Sequence, residues 1–184
     1  MFSKNRRRLY IAFYVRSIRN PDDVKFHTSL LVMQKCPDIG SMERNTLKLD
    51  AVNDITEDGM EYWRYNYSKV NTRTLRLAGL QLLAKLDDDI KDETLIELLQ
   101  KVYVSPNADD ISWRCHNWVW EAVELLVEND IVPPLPDRMT ARDVWQVSYN
   151  RLESDKFDNM LQDPVRTFDT RGNIIKSEIG AIDK

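Results

Sequence analysis

Apolar residues in this chain keep one rhythm up to Ala84 and another from Asp92 onward, and that single change constrains the fold most. Before it, the spacing is that of strands. Leu9, Ile11, Phe13 and Val15 alternate with Tyr10, Ala12 and Tyr14, so both faces are apolar or aromatic, as in a central strand. Phe26 to Gln34 reads as a second strand, expected to pair antiparallel with the first. Thr46 to Val52 is a third, with Leu47, Leu49 and Ala51 on one face and Lys48, Asp50 and Val52 on the other. Met60 to Lys69 is a fourth, crowded with Tyr62, Trp63, Tyr65 and Tyr67. The leucines of Thr74 to Ala84 fit strand and helix alike; Thr74 and Gly79 favour a strand. Polar turns are expected at Asn20-Pro21-Asp22-Asp23, in the loop around Pro37, Gly40 and Ser41, and between Asn53 and Gly59.

Asp87-Asp88-Asp89 ends this half, and helical spacing follows. Leu95, Leu98, Leu99 and Val102 predict a helix over Asp92 to Val104 with acids at its start. Cys115, Val119, Ala122, Val123, Leu126 and Val127 predict another from Ser112 to about Glu128, with Ser112 or Asp110 as N-cap. Pro133-Pro134-Leu135-Pro136 forms an extended break, after which Thr140 and Asp143 make a capping box for a further helix. Strands first and helices after define an α+β fold, an antiparallel sheet packed on helices. The reading is one domain over 1–157 and a polar, loosely held C-terminal tail over 158–184.

Composition narrows the function classes. With 42% hydrophobic and 30% charged residues the chain has the balance of a globular protein, and a net charge of −4 gives no general attraction to nucleic acid. The basic run Lys4 to Arg8 leads straight into a strand and reads as its solvated end. No apolar stretch approaches the ~20 residues of a membrane span. With no signal-peptide pattern at its start, the chain is expected in the cytoplasm, its cysteines as thiols. Phosphate-binding glycine loops, serine elbows and metal-ligand spacings are all missing from the sequence, so neither a cofactor nor a metal is expected.

The remaining chemistry rests on two cysteines and two histidines. Cys115 falls in the first turn of its helix, where unpaired N–H groups and the helix dipole favour thiolate. A nucleophilic thiol needs a base, and a third group to orient that base. His116 is adjacent, but neighbours on a helix point about 100° apart and do not face each other. His27, on the second strand, is the base that remains. Asp50 on the third strand is the candidate to accept its N–H, with Asn53 in reserve. Trp113, Arg114 and Trp118 flank the thiol and are the substrate-binding candidates; core packing is the plainer reading of the tryptophans.

The order of these residues carries a resemblance. Phe26-His27-Thr28-Ser29-Leu30-Leu31-Val32, followed much later by Arg114-Cys115-His116-Asn117-Trp118-Val119, resembles the circularly permuted branch of the papain-like superfamily. That branch contains NlpC-type peptidases and lecithin retinol acyltransferase, and the chain looks especially like small fungal proteins of the type. The resemblance covers about Arg8 to Lys156. It implies a permuted papain-like fold with Cys115 as nucleophile, His27 as base and Asp50 in the place of a polar third residue that is often histidine. Arg114 stands where these proteins usually have asparagine, and Thr28 where they have tryptophan or another bulky residue. The implied activity is thiol-dependent hydrolysis or acyl transfer at an acyl, amide or ester bond of a small-molecule or peptide substrate. A biosynthetic role fits as well as peptidase action. The alternative is a catalytically inactive fold used as a ligand- or protein-binding module. Oligomeric state is left open.

Overall fold

In the computed structural model, the described residues are 6–17, 24–38, 43–74, 76–107, 110, 112–154 and 164–179. The turn expected at Asn20 to Asp23 lies outside them, as do Gly40, Ser41, Leu75, Ile111 and the start of the C-terminal tail. Among the described residues, seven strands form one mixed sheet. In chain order they are β1 (Arg8–Val15), β2 (Phe26–Met33), β3 (Thr46–Ile55), β4 (Glu61–Val70), β5 (Leu77–Lys85), β6 (Arg166–Phe168) and β7 (Ile174–Ile175). The α-helices are α1 (Asp92–Leu99), α2 (Cys115–Glu128) and α3 (Ala141–Glu153), with a single 3-10 turn at Pro136–Arg138 before α3. Across the sheet the order is β4-β3-β2-β1-β5-β6-β7. Every pairing is antiparallel except β5 with β6.

β1 lies in the middle of the sheet, between β2 and β5, as its two apolar faces require. One face carries Leu9, Ile11, Phe13, Phe26, Leu30, Leu47, Leu49 and Ala51 against Val119, Ala122, Val123 and Leu126 of α2 and Val144, Tyr149 and Leu152 of α3. The period-two alternation places Tyr10, Ala12, Leu31, Met33, Leu77 and Leu80 in a second cluster on the opposite face. The Thr74 to Ala84 stretch is thus a strand, and Gly79 has a packing reason to be glycine. A Cβ there would lie 2.8 Å from Leu152 Cδ1, so its absence lets α3 close down on β5.

The 158–184 segment, expected as a loose tail, is corrected over its described part. Residues 164–179 supply β6 and β7, Phe168 is buried in the main core, and Val165 and Ile179 join the second cluster. Glu178 reaches back to the buried Arg8, Oε1 to Nη2 at 3.1 Å. These strands have three and two residues, too few for periodicity to mark. A second correction concerns α1, which ends at Leu99 and not at Val104. Lys101 N–H donates to Leu98 O and Val102 N–H to Leu99 O, a tightened last turn that keeps Val102 buried after the α-helix has ended. Among the described residues no helix is long and apolar enough to cross a membrane.

Candidate active site

β2 and β3 pair over a short ladder only, Leu30 to Val32 against Leu47 to Leu49. On its other side β2 stays paired with β1 down to Phe26. The lower half of β2 is therefore free on the side of β3; α2 packs against both strands, and Cys115 in its first turn meets Thr28 of β2. The helix begins at Cys115 with Arg114 as N-cap, which corrects the expected start at Ser112. Asp110 Oδ1 instead accepts the Ser112 N–H at 2.9 Å and Oγ at 2.5 Å, closing a turn ahead of the helix. Asn117 Oδ1 accepts the Arg114 N–H at 2.8 Å, so the side chain three residues inside the helix fastens its entry.

This arrangement places the Cys115 thiol, 2% exposed, against Thr28 and His27. Thr28 lies two residues below the last β2–β3 rung. Its N–H hydrogen-bonds the sulfur, and its Oγ1 lies 3.9 Å from Sγ. The His27 side chain is 26% exposed and that of Asp50 is fully buried. His27 Nε2 lies 2.7 Å from Asp50 Oδ2, which leaves Nδ1 for its hydrogen bond with the Cys115 thiol. The sequence-derived residues Cys115, His27 and Asp50 thus form one continuous relay drawn from α2, β2 and β3. Asn53, the reserve for the third position, is engaged elsewhere: its Nδ2 donates to Glu61 Oε2 at 2.8 Å.

Burial alone would favour the neutral forms of all three groups. For Cys115 it is outweighed by the His27 charge and hydrogen bond and by Thr28, which bring the thiol down to about 7. Burial depresses His27 as well, but the Cys115 charge and the Asp50 hydrogen bond prevail and raise the imidazole to about 9. Asp50 is held below the usual carboxylate range despite burial by its bond to His27 and the charge of Lys48. Tyr14, across from His27 on β1, is raised by burial and then by the Asp50 charge.

Two partners of Asp50 were not picked out from the sequence. Lys48 Nζ lies 2.6 Å from Oδ2, and Asn66 Nδ2 donates to Oδ1 at 3.1 Å. Lys48 was within reach of strand arithmetic, since it stands two residues before Asp50 on the same face. Asn66 comes opposite Asp50 through the β3–β4 register, which composition does not reveal.

The residues expected to bind substrate are placed differently. Trp118 is fully buried and stacks on Tyr65, with ring centroids 5.7 Å apart, so it is a core residue closed to ligand. This corrects its assignment to substrate binding. Trp113 is also buried and meets Trp63 edge-on at 5.2 Å. Arg114 Nη1 donates to Asp110 O and Trp113 O, both at 2.7 Å, and so ties down its own loop. His116 faces away from the thiol, stacked on Trp145 at 5.1 Å, and burial, then Arg114 and Arg142, push its imidazole down to about 4.

A family model described as a family of unknown function, DUF6914, matches residues 6–147 and so takes in all three relay residues. No curated protein and no solved structure matches the chain.

Proposed function

We propose that this chain, a member of DUF6914, is a thiol-dependent enzyme that acts on an acyl, amide or ester bond, built on a permuted papain-like fold. The observation that carries the reading is the Cys115–His27–Asp50 relay, with a depressed thiol and a raised imidazole. Such a pair stores the nucleophile as thiolate and the acid as imidazolium before substrate arrives. The chain order, histidine strand before cysteine helix, supports the permuted arrangement.

Chemically, Cys115 Sγ attacks the carbonyl carbon. The oxyanion takes the N–H groups of Cys115 and His116 at the start of α2, ahead of Asn117, whose N–H is already held by Arg114 O at 2.9 Å. The leaving amine or alcohol departs with the proton from His27, and the acyl group remains on sulfur as a thioester. Water, or an amine or alcohol, then attacks the thioester while His27 takes its proton. Collapse returns the thiolate and releases acid or transferred product. Asp50 holds the imidazole in register and stabilises its cationic form.

A second reading is favoured by one feature, the near-complete burial of Cys115. It keeps the fold as a ligand- or protein-binding module without turnover. Both readings are tested by alkylating Cys115 in a Cys36→Ser background as a function of pH, together with an electrophilic acyl probe that reports covalent capture. The enzyme reading expects a reactivity limb near pH 7 and probe labelling lost in Cys115→Ala. A limb at the ordinary thiol value near 8.5 with no labelling sinks it in favour of the binding module.

A further inference from the structure

Asp50 is fully enclosed, yet its charge is matched on every side. His27 Nε2 and Lys48 Nζ share Oδ2 at 2.7 and 2.6 Å, and Asn66 Nδ2 takes Oδ1 at 3.1 Å. We infer that Lys48 is a positioning residue of the candidate active site: by sharing Asp50 Oδ2 with His27, it fixes how firmly His27 holds its proton. The inference rests on the enzyme reading of the relay and deepens it.

With Lys48 the array alternates in sign, thiolate, imidazolium, carboxylate, ammonium, and sums to zero. Without Lys48 it carries a net negative charge around an enclosed carboxylate. The whole of that charge would then act on the imidazolium, and part of it would oppose the thiolate. Both effects run the same way: His27 holds its proton to higher pH, and Cys115 loses its proton at higher pH. Among the described residues, the other titratable or charged groups that feel Asp50 are Tyr14 on β1 and Arg64 and Tyr65 on β4. Arg64 Nε is occupied by Asp54 at 2.8 Å and does not replace Lys48. The Lys48 ammonium also lies over the Tyr14 ring, 5.4 Å from its centre, so the ring and Asp50 Oδ2 together hold the charge where it is.

The test is the pH profile of Cys115 alkylation by iodoacetamide in the Cys36→Ser background, with His27 followed by NMR titration. Lys48→Met is expected to move both the thiolate-forming limb and the imidazole limb upward by about 0.5 to 1 pH unit. Lys48→Arg, which keeps the charge, is expected to hold both limbs at the parent positions. Lys48→Gln takes the place of the methionine variant if that variant does not fold. Limbs that stay put while only the amplitude falls would mean that Lys48 merely packs, and would overturn this inference with the enzyme reading intact. A parent protein with a single limb at the ordinary thiol value would overturn both.

Discussion

Thr28 holds the Cys115 sulfur from two directions: its N–H hydrogen-bonds Sγ, and its Oγ1 lies 3.9 Å away. Thr28→Val keeps the first contact and the volume and removes the second. Because sulfur is a weak hydrogen-bond partner, stability should change by no more than about 1 kcal/mol. The thiolate loses a donor, so alkylation of Cys115 at pH 6.5 should slow about two- to threefold. Stopped-time labelling with mass spectrometry reads both the rate and the site.

The thiolate–imidazolium pair should dominate between about pH 7, where Cys115 loses its proton, and about pH 9, where His27 loses its own. The linked stabilities run in opposite directions there. His27, raised from its ordinary value, contributes stability that is complete below about 6.5 and is lost as pH rises through 9. Cys115, lowered from its ordinary value, contributes stability that is complete above about 9 and is lost as pH falls through 7. Between 7 and 9 the two should offset, leaving a flat unfolding profile. Urea titrations at half-unit pH steps measure it.

The two histidines should respond oppositely to substitution. His27→Ala should return the Cys115 thiol to ordinary or higher values, because burial then acts without a cation, and should cut alkylation at pH 7 at least tenfold. His116→Phe preserves a ring against Trp145 and should leave alkylation unchanged. Its effect belongs to stability. His116 is depressed to about 4, so the native state loses stability as pH falls from 6.5 towards 4, with a slope of up to about 1.4 kcal/mol per pH unit. His116→Phe should flatten that slope in melts recorded between pH 4.5 and 7.

Gly79→Ala places a methyl group 2.8 Å from Leu152 Cδ1 in a filled interface between β5 and α3. A cost of about 1–3 kcal/mol is expected from overpacking. Adding Leu152→Val should recover part of it; equal or greater loss in the double variant would show that the glycine is needed for another reason.

Phe168→Ala tests whether the C-terminal strands belong to the domain. Phe168 is fully buried in the main core, and its loss should cost about 3–5 kcal/mol. A change under 1 kcal/mol would mean that β6 is peripheral.

The sheet's first five strands were legible because each carries at least eight residues with apolar positions two apart, and α3 because Thr140 and Asp143 announce its cap. His27 and Asp50 could be paired from the sequence because His27 is the histidine not adjacent to Cys115, and Asp50 is a carboxylate on the strand that follows it. The start of α2 was misread because Ser112 looks like a cap, whereas its N–H and hydroxyl are both consumed by Asp110; the informative side chain was Asn117. Trp118 lies one turn along from the thiol on the same buried side of α2, but that side faces the sheet, where Tyr65 stacks on it and closes it to ligand. β6 escaped notice because three residues have no rhythm, and Asn66 because its role depends on a register that only the folded hairpin creates.

The ladder between β2 and β3 stops at Leu30, and the sulfur takes up the backbone donor left over at Thr28. That donor exists only once β2 has paired with β1, has parted from β3, and has received a helix encoded some ninety residues further along. A nascent or partly unfolded chain therefore carries an ordinary, sluggish thiol at Cys115. The lowered pKa of that one thiol is therefore a property of the completed fold, which neither the helix nor the strand has alone.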